Sequence, residues 1–253
     1  MQAKILVSSK KRIKNIIEAK PTDRMGIFDK DIELYSQNHS KSSKEFFIYD
    51  FDGPFQSLSK EMGLENALVF FEKEPRRCFS YFRDRLLSIM GEYEFLKESG
   101  IIFDGAWITE DMAYDNGLYF SLNKYRNELL GFHKDICMFF LNSNLPMFFH
   151  CDGKIEDLIP FLDGIGIKAI HPAQERCNPN LLSIKKTFSG SITFIGGVAI
   201  ERLTESKERL LEHANVLASD GSYIFSFDNP IPENYYMKEY DDLIQDIENI
   251  KRI

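Results

Sequence analysis

The chain has no Cys-x-x-Cys spacing among its four cysteines, Cys78, Cys137, Cys151 and Cys177. With no signal peptide ahead of them, they read as reduced thiols of a cytoplasmic protein. No apolar run approaches the roughly 20 residues of a membrane span. Positive charge is outweighed: 31 Lys and Arg face 39 Asp and Glu, and the formal net charge of -8 argues against the basic stripe of a nucleic-acid-binding surface. The one basic cluster, Lys10, Lys11, Arg12 and Lys14, reads as a solvated helix face. Neither G-x-G-x-x-G nor G-x-x-x-x-G-K occurs, so a nucleotide-binding fold has no support.

What is present is apolar and periodic. At 253 residues with 43% hydrophobic content, the chain can bury a sizeable core. We read residues 1–253 as one domain. Ser8 or Ser9 opens a first helix with Ile13, Ile16 and Ile17 on one face, and Pro21 stops it. A short strand at 25–28, a polar loop at 36–45 and a strand at 46–51 follow. Helices are expected at 64–71 and from Cys78 to Leu96, where apolar residues recur every three or four positions. Gly100 closes the second.

From there strands and helices alternate. The pairs are 101–109 with 122–141 (capped by Ser121), 147–150 with 155–162, 167–171 with 179–188, 192–195 with 205–218 (capped by Thr204), and 223–227 with 233–250. Five successive strand–helix units imply a parallel sheet covered by helices. With the two earlier strands the count is about seven. That suits a TIM-type (β/α) barrel, incomplete or irregular in its N-terminal half; a doubly wound open sheet is the alternative.

The most informative segment is Pro146 to Gly153, an apolar run ending in His150, Cys151 and Asp152. A barrel gathers all its strand ends around one mouth, where its chemistry sits. The ends read off here are Thr109, Glu110 and Asp111; His150, Cys151 and Asp152; His171, Gln174 and Glu175; Gly196 and Gly197; and Ser226, Asp228 and Asn229. Such a ring suits a divalent cation, Zn²⁺ or a harder metal, or a metal-free acid/base pocket. His171-Pro172 reads as structural. Alternation turns Cys151 away from the side that His150 and Asp152 share, which leaves it buried and inert.

Several segments resemble the uroporphyrinogen decarboxylase superfamily. They are Lys11 through Pro21-Thr22-Asp23-Arg24-Met25, Gly53-Pro54-Phe55 through Glu74-Pro75, Thr109-Glu110-Asp111 through Ser121, Phe149-His150-Cys151-Asp152-Gly153, Ile170-His171-Pro172-Ala173-Gln174, Thr193 through Gly197, and Pro232-Glu233-Asn234. The superfamily includes the decarboxylase of haem synthesis and corrinoid-linked methyltransferases that methylate thiols. The resemblance implies a TIM barrel over most of residues 8–250. It implies a metal at His150 and Asp152, with Asp228 as the nearest third ligand, and a corrinoid-carrying partner protein.

The departures concern metal chemistry and length. In the superfamily's methyltransferases a His-x-Cys pair and a later Cys hold Zn²⁺, which makes the acceptor a thiolate, whereas the decarboxylase needs no metal. Here Asp152 stands at the Cys position and no cysteine lies near the last strand. The chain is also shorter than family members.

On this reading Asp111, Glu110 and Glu175 are the catalytic candidates, and Arg24, Gln174, Gly196 and Gly197 bind a small-molecule substrate. The function implied is metal-assisted methyl transfer from a corrinoid or small methylated donor to a small acceptor, in a protein that could be a homodimer. The alternatives are uroporphyrinogen decarboxylation and a degenerate barrel that binds a ligand or partner without turnover. The decarboxylase alternative lacks the arginine-rich segment that its many-carboxylate substrate requires.

Overall fold

A computed structural model describes residues 7–35, 41–231 and 237–250. The Pro232-Glu233-Asn234 segment and part of the expected 36–45 loop lie outside them. In chain order the elements are α1 (Ser9–Ile17), β1 (Gly26–Ile27), α2 (Phe28–Asp31), β2 (Ile32–Leu34), β3 (Phe46–Asp52), α3 (Pro54–Met62), α4 (Leu64–Lys73), α5 (Pro75–Glu98) and β4 (Gly105–Thr109). A small antiparallel pair, β5 (Ala113–Tyr114) and β6 (Gly117–Leu118), is followed by α6 (Leu122–Lys124), a π-helical turn at Tyr125–Leu129, and α7 (Leu130–Asn142). The rest is β7 (Met147–His150), α8 (Ile159–Ile165), β8 (Ala169–His171), α9 (Leu181–Thr187), β9 (Thr193–Ile195), a 3-10 turn at Ile200–Thr204, α10 (Lys207–Ala218), β10 (Tyr223–Phe225) and α11 (Met237–Asn249).

Eight strands form one parallel sheet in the order β1-β10-β9-β8-β7-β4-β3-β2, a nearly closed TIM-type barrel. The expected irregularity in the first half is real. β1 pairs with β10 and β2 with β3, but the two are joined by the single helical turn α2 where the ladder would otherwise close.

Strand alternation sorts the core in two. Phe47, Tyr49, Phe51, Ile108, Phe149, Cys151 and Phe225 pack outward under the helices. Ile48, Trp107, Phe148, Ala169, Ile195 and Ile224 fill the barrel together with Ile13, Ile16 and Ile17 of α1. Helix α1 thus closes the N-terminal end of the barrel. Gly26 permits this: a Cβ there would lie 3.0 Å from both Ile16 and Ile224.

Element boundaries differ from the periodicity in places. Helix α8 begins at Ile159, not 155, because Pro160 lacks an N–H and fits only a first turn. Helix α10 is capped by Ser206, not Thr204, which ends the 3-10 turn instead. Strand β4 begins at Gly105.

Candidate metal centre at the barrel mouth

The C-terminal ends of β4, β7, β8 and β10 deliver polar side chains to one place. Each of Asp111, His150 and Asp152 offers a ligand atom, and these atoms lie within 4.8 Å of one another. His150 Nε2 is 3.5 Å from Asp111 Oδ1, and the same oxygen accepts the Asp152 N–H at 3.1 Å. The acidic loop after β4 is thereby tied to the turn after β7. Alternation explains the set: His150 follows Phe148 on the inward side, and Asp152 continues that side past the strand end.

His171 lies beside this cluster, although it is not one of the three groups that offer a ligand atom. Its Nδ1 lies 2.7 Å from His150 Nδ1, and the rings stack at 5.0 Å between centroids and 28° between planes. Phe28 stacks on the other side of His171, and Trp107 packs against both imidazoles. Burial first, then the neighbouring His150, push His171 well below the usual 6.5. His171 is therefore neutral at pH 7.

Carboxylates in the mouth are pushed the other way. Burial first, then the charges of Asp111 and Asp228, raise Asp152 against the opposing pull of His150. Burial raises Asp228 as well. Asp228 lines the same cavity of about 530 Å³ as His150, Asp152 and His171. It stands apart from the triad, with its Oδ1 accepting the Ile200 N–H at 3.0 Å. Among the described residues lining this cavity there is no lysine or arginine.

Asp50 was not anticipated from the sequence. It lies on the inward side of β3, two residues after Ile48, beside Trp107 in the register. Its Oδ1 is buried with no hydrogen-bond partner among the described residues, and burial, then repulsion from Asp52, raise its pKa to about 6. The signal in the sequence is the alternation of Phe46, Ile48 and Asp50 against Phe47, Tyr49 and Phe51, which puts Asp50 on the inward side.

The other expected site residues are placed elsewhere. Glu110 points outward from Thr109 and is fully buried. It accepts the Phe55 and Gln56 N–H groups at 3.1 and 2.6 Å, at the start of α3, and meets His133 Nε2 at 2.8 Å. Tyr125 completes the chain at His133 Nδ1. Glu110 thus accepts hydrogen bonds at a helix N-terminus, where unpaired N–H groups and the helix dipole suit a carboxylate.

Glu175 is engaged by both arms of Arg202, at 2.9 and 2.5 Å. Against the effect of its burial, Arg202 and nearby His213 hold it below the usual carboxylate range. Gln174 Oε1 accepts the Gly153 N–H at 2.7 Å and ties two loops together. Gly196 and Gly197 cradle no anion, because their N–H groups bond to the Ile224 and Pro172 carbonyls. They are glycine because both have positive φ, and a Cβ on Gly196 would stand 1.9 Å from Pro172 O. Arg24 precedes β1 and lies at the opposite end of the barrel, where it pairs with buried Asp31 beside Arg12.

Cys151 is buried in the outer core, and burial raises its pKa strongly. No helix among the described residues is long and apolar enough to cross a membrane.

No protein-family model matches the chain, and no curated protein matches it. Among solved structures, the fold is similar to that of a methyltransferase from Methanosarcina mazei. The TM-score is 0.63 at 11% identity, over 82% of this chain and 60% of that one. The chain therefore spans about 60% of the length of this structural relative, and the likeness is one of fold, a (β/α) barrel.

Proposed function

We propose that the protein is a methyltransferase-like enzyme that holds a divalent cation, Zn²⁺ in the first instance, on Asp111, His150 and Asp152. The observation that carries this reading is the convergence of those three side chains in the C-terminal mouth of the barrel. The likeness to a solved methyltransferase supports it. One imidazole and two carboxylates fit a borderline or hard cation, and three protein ligands leave a position for substrate. Asp111 replaces Asp228, the third ligand expected from sequence, and Asp228 remains in the same cavity. When bound, the cation would act as a Lewis acid that lowers the pKa of an acceptor placed against it.

The surrounding residues have distinct tasks. For His150 to offer its Nε2 lone pair, its Nδ1 must carry the hydrogen and donate it to His171. His171, held neutral, is suited to accept it; it then fixes the tautomer and ring direction of the ligand from behind. An acceptor that takes up a methyl group gives up a proton. Asp228, raised by burial and facing the same cavity, is the base positioned to take it. A corrinoid on a partner protein or a small methylated compound supplies the methyl group in this reading. With no lysine or arginine among the described residues lining the cavity, a neutral or cationic acceptor is favoured over a polycarboxylate.

The test is a zinc titration of the metal-free protein. Replacing His150 with Ala is expected to weaken binding by at least about tenfold, and His171→Phe by a similar factor through loss of orientation. Unchanged zinc affinity in His150→Ala removes the site and the reading with it.

A further inference from the structure

The basic residues at the start of α1 do not form one solvated face. Arg12 turns inward and is buried, paired with Asp23 and Asp31 at 2.9 and 2.7 Å. Lys10, Lys11 and Lys14 instead line an open cavity of about 580 Å³. Asp104, Pro146 and Lys168 line it too, and they immediately precede β4, β7 and β8. The cavity therefore lies at the N-terminal end of the barrel, opposite the metal triad. Its floor is mostly apolar, built from Ile17, Phe46, Phe103, Leu141, Leu145 and Pro146. Cavities of this size hold small molecules.

The lysines are poorly placed for stability. Lys10 and Lys11 stand in the first turn of α1, which has no acidic residue, and the helix dipole disfavours a cation there. Lys14 is four residues from Lys10 and three from Lys11, so like charges share a helix face. The two carboxylates of the cavity are already engaged. Asp104 meets Lys10 at 2.6 Å and the Phe47 N–H at 3.0 Å, and Glu18 meets Lys20 at 2.5 Å. Lys11, Lys14 and Lys168 make no ion pair among the described residues, in a chain whose 39 Asp and Glu outnumber its 31 Lys and Arg.

We propose that this cavity is a second binding site, which takes a small phosphate monoester with an aromatic body, because three unpaired ammonium groups rim an apolar floor. A phosphate monoester carries about two negative charges at pH 7, more than a carboxylate, and suits several converging lysines, which act as flexible point charges. Its ring packs on Phe46, Phe103 and Leu145, where flat apolar surface is offered. Neither part suffices alone: the exposed charges are screened by salt, and the floor is shallow. The inference is independent of the metal-site reading, since none of the residues lining this cavity lines the mouth.

The experiment is calorimetric titration of the metal-free full chain with 1-naphthyl phosphate at low salt. The expected dissociation constant is on the order of 100 µM. Inorganic phosphate, a head without a body, and 1-naphthol, a body without a head, are each expected to bind at least about tenfold more weakly. Lys14→Gln and Lys168→Gln should each weaken binding of the ester about fivefold, and K14Q/K168Q about 25-fold. Lys73→Gln removes a positive charge from an exposed position on α4, outside the cavity, and should leave the affinity within about twofold. Circular dichroism verifies that each variant folds. Absence of binding by 1-naphthyl phosphate overturns the proposal. So does an affinity indifferent to K14Q/K168Q, which would put the ester elsewhere, or inorganic phosphate or 1-naphthol binding as tightly as the ester.

Discussion

Replacing Glu110 with Ala should unfold the protein more than it disturbs its chemistry. The carboxylate accepts from the Phe55 N–H, the Gln56 N–H and His133 Nε2 at 3.1, 2.6 and 2.8 Å, and it is fully buried. With Tyr125 donating to Nδ1 of His133, Nε2 carries a hydrogen toward Glu110. Removing the carboxylate strands these three donors, and α3 loses the acceptor at its N-terminus. An unsatisfied buried donor costs about 1–3 kcal/mol, and loss of a helix cap typically about 1 kcal/mol. Because the Gln56 side of the group is only part-buried, the sum is taken near the low end, about 4 kcal/mol. Domains have about 5–15 kcal/mol in total, so the loss is a large fraction. At roughly 2–4 °C per kcal/mol for a chain of this size, the melting temperature should fall by about 10 °C. Glu110→Gln keeps one acceptor and should lose less than half as much. The assay is thermal and urea unfolding of the three proteins, with zinc titration of the folded variants in the cold, where affinity should be unchanged. If Glu110→Ala melted within about 2 °C of the parent but lost metal binding or activity, Glu110 would be a mouth residue and the capping argument would fail.

Further outcomes follow from the same geometry. Asp50 titrates near about 6 in the folded protein against 3.8 for its ordinary value. A raised carboxyl pKa makes stability fullest below the unfolded value and lost as pH rises through the folded one. Asp50→Asn should thus flatten the stability profile between about pH 4 and 6 and stabilise the protein at pH 7. A variant whose profile overlays that of the parent would show that Asp50 is solvated and unstrained. Cys151, buried with its pKa raised, should resist alkylation at neutral pH in the native state and react only on unfolding; rapid selective labelling would make it a nucleophile or ligand. Uroporphyrinogen should lose no carboxyl groups in an anaerobic assay, since the cavity supplies Asp29, Asp152 and Asp228 and no cationic partner among its described lining. Stepwise conversion to coproporphyrinogen would refute that.

The amino-acid sequence by itself determined the architecture, because the signals are local. Alternating runs such as Phe46 to Phe51, and the three-or-four spacing from Cys78 to Tyr93, bury one face only if they become a strand and a helix. Their succession then implies a parallel sheet covered by helices, and closure into a barrel rather than a doubly wound open sheet was decided by the tertiary structure. The inward direction of His150 and the outward direction of Cys151 were legible for the same reason: side chains alternate along a strand. What the sequence could not determine was which strand-end residues meet. Glu110 and Asp111 are adjacent in the chain, yet one caps a helix and the other joins His150, because partners 23 and 39 residues away lie on opposite sides of the same strand end. Arg24 looked available, but buried Asp31, which Arg12 also engages, holds it at the far end of the barrel. Gly196 and Gly197 stood among the substrate-binding candidates, and only the structure shows their N–H groups bonded to the Ile224 and Pro172 carbonyls. His171 gained its place only through the 2.7 Å approach of His150. Hydrophobic patterning is set by neighbours in sequence, whereas hydrogen-bond and ligand partners are set by closure of the sheet, and only the tertiary structure decides that.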